Sequence, residues 1–125
     1  MRSISVEQIY QLKEIVRNYK NLECVECAQN IQDYLISQGV QGKRIKLYTG
    51  SAIGRNSYIY DESVSGDAIS VNGRHQAIAI IIDELEMIFD NHHPDGITRE
   101  QWLANLLFYN KLYHGQQFQV TEETF

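Results

Sequence analysis

The sequence is poor in cysteine, in positive charge and in long apolar runs, and each shortage excludes a class of protein. Two cysteines, Cys24 and Cys27, are too few for the disulfide framework of a small secreted domain. No apolar run approaches the roughly 20 residues of a membrane-spanning helix, and the first residues lack the apolar core of a signal peptide. The net charge of −5 disfavours a general nucleic-acid binder, which needs a basic surface. We therefore expect one domain over residues 1–125 that is cytoplasmic, unless it was excised from a larger exported protein, and that binds neither nucleic acid nor membrane.

Helical patterns occupy the first third of the chain. A first helix is predicted over residues 5–20, with Ser5 and Gln8 spaced to form a capping box. A second helix is predicted over residues 24–38 and ends at Gly39. Its apolar face consists of Cys24, Ala28, Ile31 and Leu35.

The pattern then changes to that of strands. Alternation predicts a half-buried strand over residues 44–48, and an unbroken apolar run predicts a central strand over residues 76–82. Asp83 and Glu84 can turn the chain into a further strand over residues 85–89. Weaker strand patterns lie at residues 58–60 and around Phe118 and Val120.

A last helix is predicted to begin at Thr98, with Gln101 at the capping-box position. Its apolar side is marked by Trp102, Leu106, Tyr109 and Tyr113, at helical spacing. Two helices, several strands and a final helix predict an α+β domain with a mainly antiparallel sheet.

Three features of the sequence point to nucleophilic chemistry. Cys24 and Cys27 lie at the start of a helix, where the peptide dipole and free N–H groups favour a thiolate. His75 lies at the start of the central strand, and Asp90 lies at the end of the strand that follows. A turn at residues 83–84 pairs positions whose numbers sum to about 167 and brings Asp90 close to His75. A bulge or a turn shifted by one residue would place the two directly opposite each other.

These residue types suit an attack on an amide or thioester carbonyl. A thiol must be deprotonated to act as a nucleophile, and histidine is a base with a pKa near neutrality. A carboxylate can hold the far nitrogen of the imidazole, and a helix N-terminus can donate N–H groups to an oxyanion. The expected product of the first step is an acyl-cysteine, which water or an amine then releases.

Several segments resemble the papain-fold toxin domains of bacterial polymorphic toxins. They are residues 23–28 (ECVECA), 72–75 (NGRH) and 89–97 (FDNHHPDGI), followed by Trp102 and Leu103. The resemblance extends over residues 21–106. It implies a papain-like fold, a Cys-His-Asp triad and peptidase or deamidase activity on proteins without a cofactor. It also implies a toxin-like effector, secreted if released from a larger toxin, for which an immunity protein is a possible partner.

Transfer by position gives His75 as the base and Asp90 as its orienting group. Cys24 is favoured over Cys27 as the nucleophile because it opens the helix, where the dipole effect is strongest. Asn91 is the alternative orienting group, since papain-type proteases use an asparagine, and Asn21 is a candidate oxyanion donor. The sequence departs from the pattern at Glu23 and Glu26, because negative charge beside a thiol raises its pKa.

Two other classes of function compete with this interpretation. Cys24 and Cys27 with His92 and His93 give four ligands of the types that bind structural zinc. Alternatively, the domain is an inactive papain-like module that binds a protein partner, with tyrosines such as Tyr58 and Tyr60 on the contact surface.

Overall fold

The computed structural model describes residues 4–64 and 66–125 and shows an α+β domain. Its helices are α1 (Val6–Arg17), α2 (Cys24–Ser37), α3 (Arg99–Asn105) and α4 (Tyr109–His114), with a 3-10 turn at Arg55–Ser57. Its strands are β1 (Lys43–Tyr48), β2 (Tyr60–Asp61), β3 (Arg74–Ile82), β4 (Leu85–Phe89), β5 (Leu106–Leu107) and β6 (Gln119–Thr124). No helix within the described part of the chain is both long and apolar enough to cross a membrane.

The main sheet is antiparallel throughout and has the strand order β4-β3-β1-β6. Strands β2 and β5 form a separate two-stranded sheet. The predicted α+β class with an antiparallel sheet is confirmed.

Strand β3 is buried on both faces, as its unbroken apolar run predicted. Ile78 and Ile80 pack in a core cluster with residues of α1 and α2, whereas Ala77 and Ala79 pack in a second cluster around Trp102. Side chains alternate along a strand, so β3 separates the two helical layers. The start of this central strand is where His75 lies.

The first two helices begin and end close to the predicted positions. Ser5 caps α1, and the reciprocal bonds between Ser5 and Gln8 complete the predicted capping box. Helix α2 begins at Cys24 and packs Cys27, Ala28 and Ile31 against the sheet.

The predicted continuous last helix is wrong, because it is interrupted at Leu106. Helix α3 ends at Asn105, and Leu106 is extended, with φ −85° and ψ 120°. Leu106 and Leu107 pair instead with Asp61 and Tyr60 of β2. The backbone bonds of this pairing replace the helical ones, and the chain resumes a helix only in α4.

Three smaller expectations also change. The short strand expected at residues 58–60 lies at Tyr60–Asp61. Thr98 accepts a bond from the Gln101 backbone, but the Gln101 side chain donates to Asn105, so only half of that capping box forms. The edge strand expected near Phe118 and Val120 extends to Thr124 and pairs with β1.

Candidate active site

The β3–β4 hairpin brings His75 and Asp90 together without a bulge. Its register pairs Ile78 with Phe89 and Ile82 with Leu85, so the position numbers sum to 167 as expected. The turn residues Asp83 and Glu84 have φ values of 51° and 68°, both left-handed, as in the tight turns that match strand twist. Continuing this register places Asp90 opposite Ala77, on the same face as His75 and diagonal to it, within reach of a histidine side chain.

His75 and Asp90 form a buried hydrogen-bonded pair. The Nε2 atom of His75 lies 2.9 Å from Oδ2 of Asp90, and both side chains are fully buried. Asp90 also accepts bonds from the Trp102 indole, to Oδ2, and from the His92 backbone, to Oδ1. Burial raises the pKa of Asp90, but the bond from His75 and nearby positive charge outweigh it and hold this pKa far below its usual range. Asp90 is thus an ionised carboxylate that fixes the imidazole.

His75 is held in its protonated form. Burial lowers its pKa, but the hydrogen bond to Asp90 and the polar contact with Cys24, with the charges of both, raise it to about 10. A neutral imidazole would leave the Asp90 carboxylate as a buried charge without a cation, which is destabilising. The pair therefore favours the imidazolium.

Cys24 is the cysteine that interacts with this imidazolium. It is the first residue of α2 and is 7% exposed. Burial raises its pKa, but the polar contact with the His75 ring, the imidazolium charge and the Gln76 backbone N–H lower it, and the net shift is downward. The site therefore favours a thiolate–imidazolium pair.

The contact between the sulfur and the imidazole is loose. Nε2 of His75 is occupied by Asp90, which leaves Nδ1 for Cys24. Among the described residues, Nδ1 has no partner that meets both the distance and the angle of a formed hydrogen bond. The two groups are nevertheless near enough for each to shift the pKa of the other. Such bonds commonly tighten only when substrate binds.

Cys27 has the opposite environment. It is fully buried in the core cluster, and burial together with the charges of Asp90, Cys24 and Glu23 raises its pKa to about 12. The unfavourable effect expected from Glu23 therefore acts on Cys27. A thiol with this pKa is inert at neutral pH.

The two predicted asparagines hold the segment that precedes Cys24. Asn21 donates to the Ala68 carbonyl and contacts the His92 ring at 3.0 Å. Asn91 donates to the Lys20 carbonyl, and its buried Oδ1 has no partner among the described residues. The side chain that binds His75 is Asp90, and an oxyanion role for Asn21 stays a prediction.

Backbone donors are available beside Cys24. Glu23 occupies the N-cap of α2 but makes no side-chain cap bond; its carboxylate accepts instead from the Lys20 backbone. The first N–H groups of a helix have no intrahelical partner, so those of α2 can donate to an oxyanion.

The structure adds a buried pair that sequence reasoning missed. Nε2 of His93 lies 2.8 Å from Oδ2 of Asp61, and Asp61 also accepts from the Ser63 hydroxyl and backbone. Ligand atoms of Asp61, Asp90 and His93 lie within 4.8 Å of one another. That spacing would admit a metal ion, but both carboxylates already accept hydrogen bonds: Asp61 from His93 and Ser63, and Asp90 from His75, Trp102 and the His92 backbone.

The zinc alternative gains no support from the positions of its ligands. His93 binds Asp61 and His92 binds Asn21. Within residues 4–64 and 66–125, the metal-spaced group includes neither Cys24 nor Cys27.

An α+β domain with a thiol at a helix N-terminus and a His–Asp pair on the adjoining sheet has the arrangement of papain-like cysteine hydrolases. The chain belongs to the papain fold toxin 2 family, whose model matches residues 7–107. No match was found among curated proteins or among solved structures. The family is one of toxin domains and is compatible with cysteine hydrolase activity.

Proposed function

We propose that this domain is a cysteine-dependent hydrolase that acts on protein amides, as a peptidase or a glutamine deamidase. Cys24 is the nucleophile, His75 the general acid and base, and Asp90 the group that orients His75. The observation that carries the proposal is the buried bond between His75 and Asp90, with a lowered pKa at Cys24.

The proposed reaction has two halves. The Cys24 thiolate attacks the amide carbon, a C–S bond forms, and the carbonyl electrons move to the oxygen. The tetrahedral species then collapses, the C–N bond breaks, and His75 gives its proton to the leaving amine or ammonia. Water, deprotonated by His75, attacks the thioester and releases a carboxylic acid and Cys24. First-turn N–H groups of α2 stabilise the oxyanion in both halves.

A groove of about 470 Å³ beside the N-terminus of α2 gives the substrate polypeptide a place to lie. Its apolar lining includes Leu22, Tyr58, Tyr60 and Val71, all partly exposed. Leu22 lies two residues before Cys24 in a left-handed conformation, with φ 71°. A bulky residue held in this conformation is strained, and such strain is concentrated at functional sites.

The effector role rests on the family. A toxin domain of this family that hydrolyses protein amides would act on proteins of a target cell. The cell that makes it would then need an inhibitor, so an immunity protein that covers the groove is the proposed partner.

Thiol reactivity tests the site without knowledge of the substrate. Alkylation by iodoacetamide at neutral pH, mapped by mass spectrometry, is expected to modify Cys24 fast and Cys27 slowly. His75→Ala should slow Cys24 by roughly 100-fold, the scale of losing a positioned base. The matched control is His114→Gln, because His114 is exposed on α4 and lies outside the site. Slow labelling of both cysteines in the wild-type protein would contradict the proposal and favour a binding module.

The reaction type is tested by incubating a cell lysate with the wild-type protein and with Cys24→Ala. A peptidase produces new peptide termini, and a deamidase converts glutamine to glutamate. Mass spectrometry should find one of these changes with the wild-type protein alone; finding neither would leave the thiol reactive but overturn the hydrolase assignment.

A further inference from the structure

A second buried pair of histidine and carboxylate lies next to the proposed triad. The Asp61 side chain is fully buried and that of His93 is 12% exposed, with 2.8 Å between Nε2 and Oδ2. His93 comes three residues after Asp90, and Asp61 belongs to β2.

This pair brings a positive charge between two buried carboxylates. Burial raises the pKa of Asp61, but the bonds from His93 and Ser63 outweigh it and lower this pKa. Burial lowers the pKa of His93, but Asp61 and Asp90 raise it above its usual value. The positive charge of His75 opposes the protonation of His93, and His92, whose own pKa is lowered in part by His93, is a further titratable neighbour. Without a proton on His93, Asp61 and Asp90 would face each other as buried like charges.

The pair also ties together the two elements that hold Asp90. His93 closes the turn after β4 through a backbone bond to the Asp90 carbonyl. Asp61 pairs with Leu106, which directly follows α3, and α3 carries the Trp102 indole that donates to Asp90. The contact between Asp61 and His93 therefore links the turn to the small sheet beside it.

We infer that Asp61 and His93 are positioning residues for the proposed reaction: an ion pair that fixes the turn carrying Asp90 and leaves no net negative charge beside its carboxylate. The inference rests on the proposed function. It makes the reactive centre a chain of five side chains, from Cys24 through His75, Asp90 and His93 to Asp61.

The test measures the rate of Cys24 alkylation as a function of pH. His93→Gln removes one positive charge while Asp61 stays ionised, so the profile should move to higher pH by at least about half a unit. Adding Asp61→Asn restores a neutral pair that can still form a hydrogen bond, and it should return the profile towards that of the wild-type protein. His114→Gln should leave the profile in place.

A purely structural role predicts a different result, because the pH profile of the double variant would then lie no closer to the wild-type profile than that of His93→Gln. The inference is overturned if His93→Gln leaves the profile unmoved or if the double variant does not reverse the shift. If the wild-type Cys24 shows no fast reaction, the proposed function itself fails.

A measurement on the wild-type protein avoids dependence on folded variants. Histidine-selective ¹⁵N NMR should show that the ring of His93 is still protonated above its ordinary pKa of 6.5. A ring that is neutral at that pH would overturn the inference, whatever the reactivity of Cys24.

Discussion

Two cysteines one helical turn apart lie in opposite environments. Cys24 is at the N-terminus of α2, where an imidazolium and a backbone N–H outweigh its burial. Cys27 is one turn deeper, in an apolar cluster where burial and nearby negative charge both raise its pKa. The difference is set by position on the helix, because the spacing of three residues turns both side chains towards the sheet.

We predict that Cys27→Ala separates stability from reactivity. Cys27 is a fully buried small apolar residue, so its truncation should lower the free energy of unfolding by about 1–2 kcal/mol. The fast alkylation of Cys24 should persist. Urea unfolding and iodoacetamide labelling check the two effects, with Cys24→Ala as the matched variant that loses the fast reaction. Loss of the fast thiol in Cys27→Ala would show that the nucleophile had been misassigned.

The positions of His75 and Asp90 could be predicted because both lie on one hairpin. Counting outward from a two-residue turn needs only the sequence. Asp61 and His93 could not be paired in this way, because they are 32 positions apart and Asp61 follows an irregular loop. The sequence indicates His93 only as a zinc ligand, and no local pattern indicates its partner.

At the scale of elements, the site depends on how β3 begins. Gly73 precedes the strand, two residues before His75, with φ 75°. Its N–H donates to the Ser57 carbonyl and its carbonyl accepts from Thr49. A Cβ at this position would lie 2.2 Å from the Ser51 carbonyl oxygen. The start of β3 therefore has room only for glycine.

We predict that Gly73→Ala destabilises the protein by about 3 kcal/mol or more, the sum of left-handed strain and overpacking against backbone. Gly115→Ala is the matched control, because Gly115 has a similar φ of 68° and a Cβ there meets nothing within 4 Å. It should cost only about 1–2 kcal/mol. Thermal and urea unfolding compare the two variants. Equal losses would mean that the close approach to Ser51 is not real.

The break after α3 shows where periodicity is insufficient. Trp102, Leu106 and Tyr109 keep a helical spacing across it, and Trp102 and Leu106 are indeed buried. Leu106 and Leu107 nevertheless pair with β2, more than 40 positions earlier in the chain. A contact of this range competes with local helix propensity, and sequence patterns do not record it.

At the scale of the whole molecule, the sheet supports a polar network inside an apolar domain. Core clusters cover both faces of β3, and His75 and Asp90 are buried with them. Buried charges destabilise a fold unless they are paired. The stability of the domain should therefore depend on pH, through the protonation of His75 and the ionisation of Asp90.

His75, Asp90 and Cys24 each make the stability depend on pH, in a direction set by whether folding raises or lowers the pKa of the group. The folded pKa of His75, about 10, lies above its ordinary 6.5, so its contribution is complete below 6.5 and is lost as the pH rises towards 10. Asp90 has a depressed pKa, so its contribution is present above its ordinary 3.8 and is lost only in strong acid. The lowered pKa of Cys24 acts against the loss from His75, because the folded state releases that proton earlier than the unfolded state.

We predict that Cys24→Ala, which removes the opposing thiol but keeps Asp90 as the larger cause of the raised His75 pKa, loses stability as the pH rises above 6.5, by up to about 1.4 kcal/mol per unit. Urea unfolding across this range measures the slope. The matched variant, Cys24→Ala with His75→Gln, lacks the titrating imidazole of His75 and should have a smaller slope, to which His93 with its raised pKa still contributes. If both variants have the same slope, His75 does not carry a proton in the folded protein. The Cys24 thiolate, on which the proposed chemistry depends, would then have no imidazolium beside it to stabilise its charge.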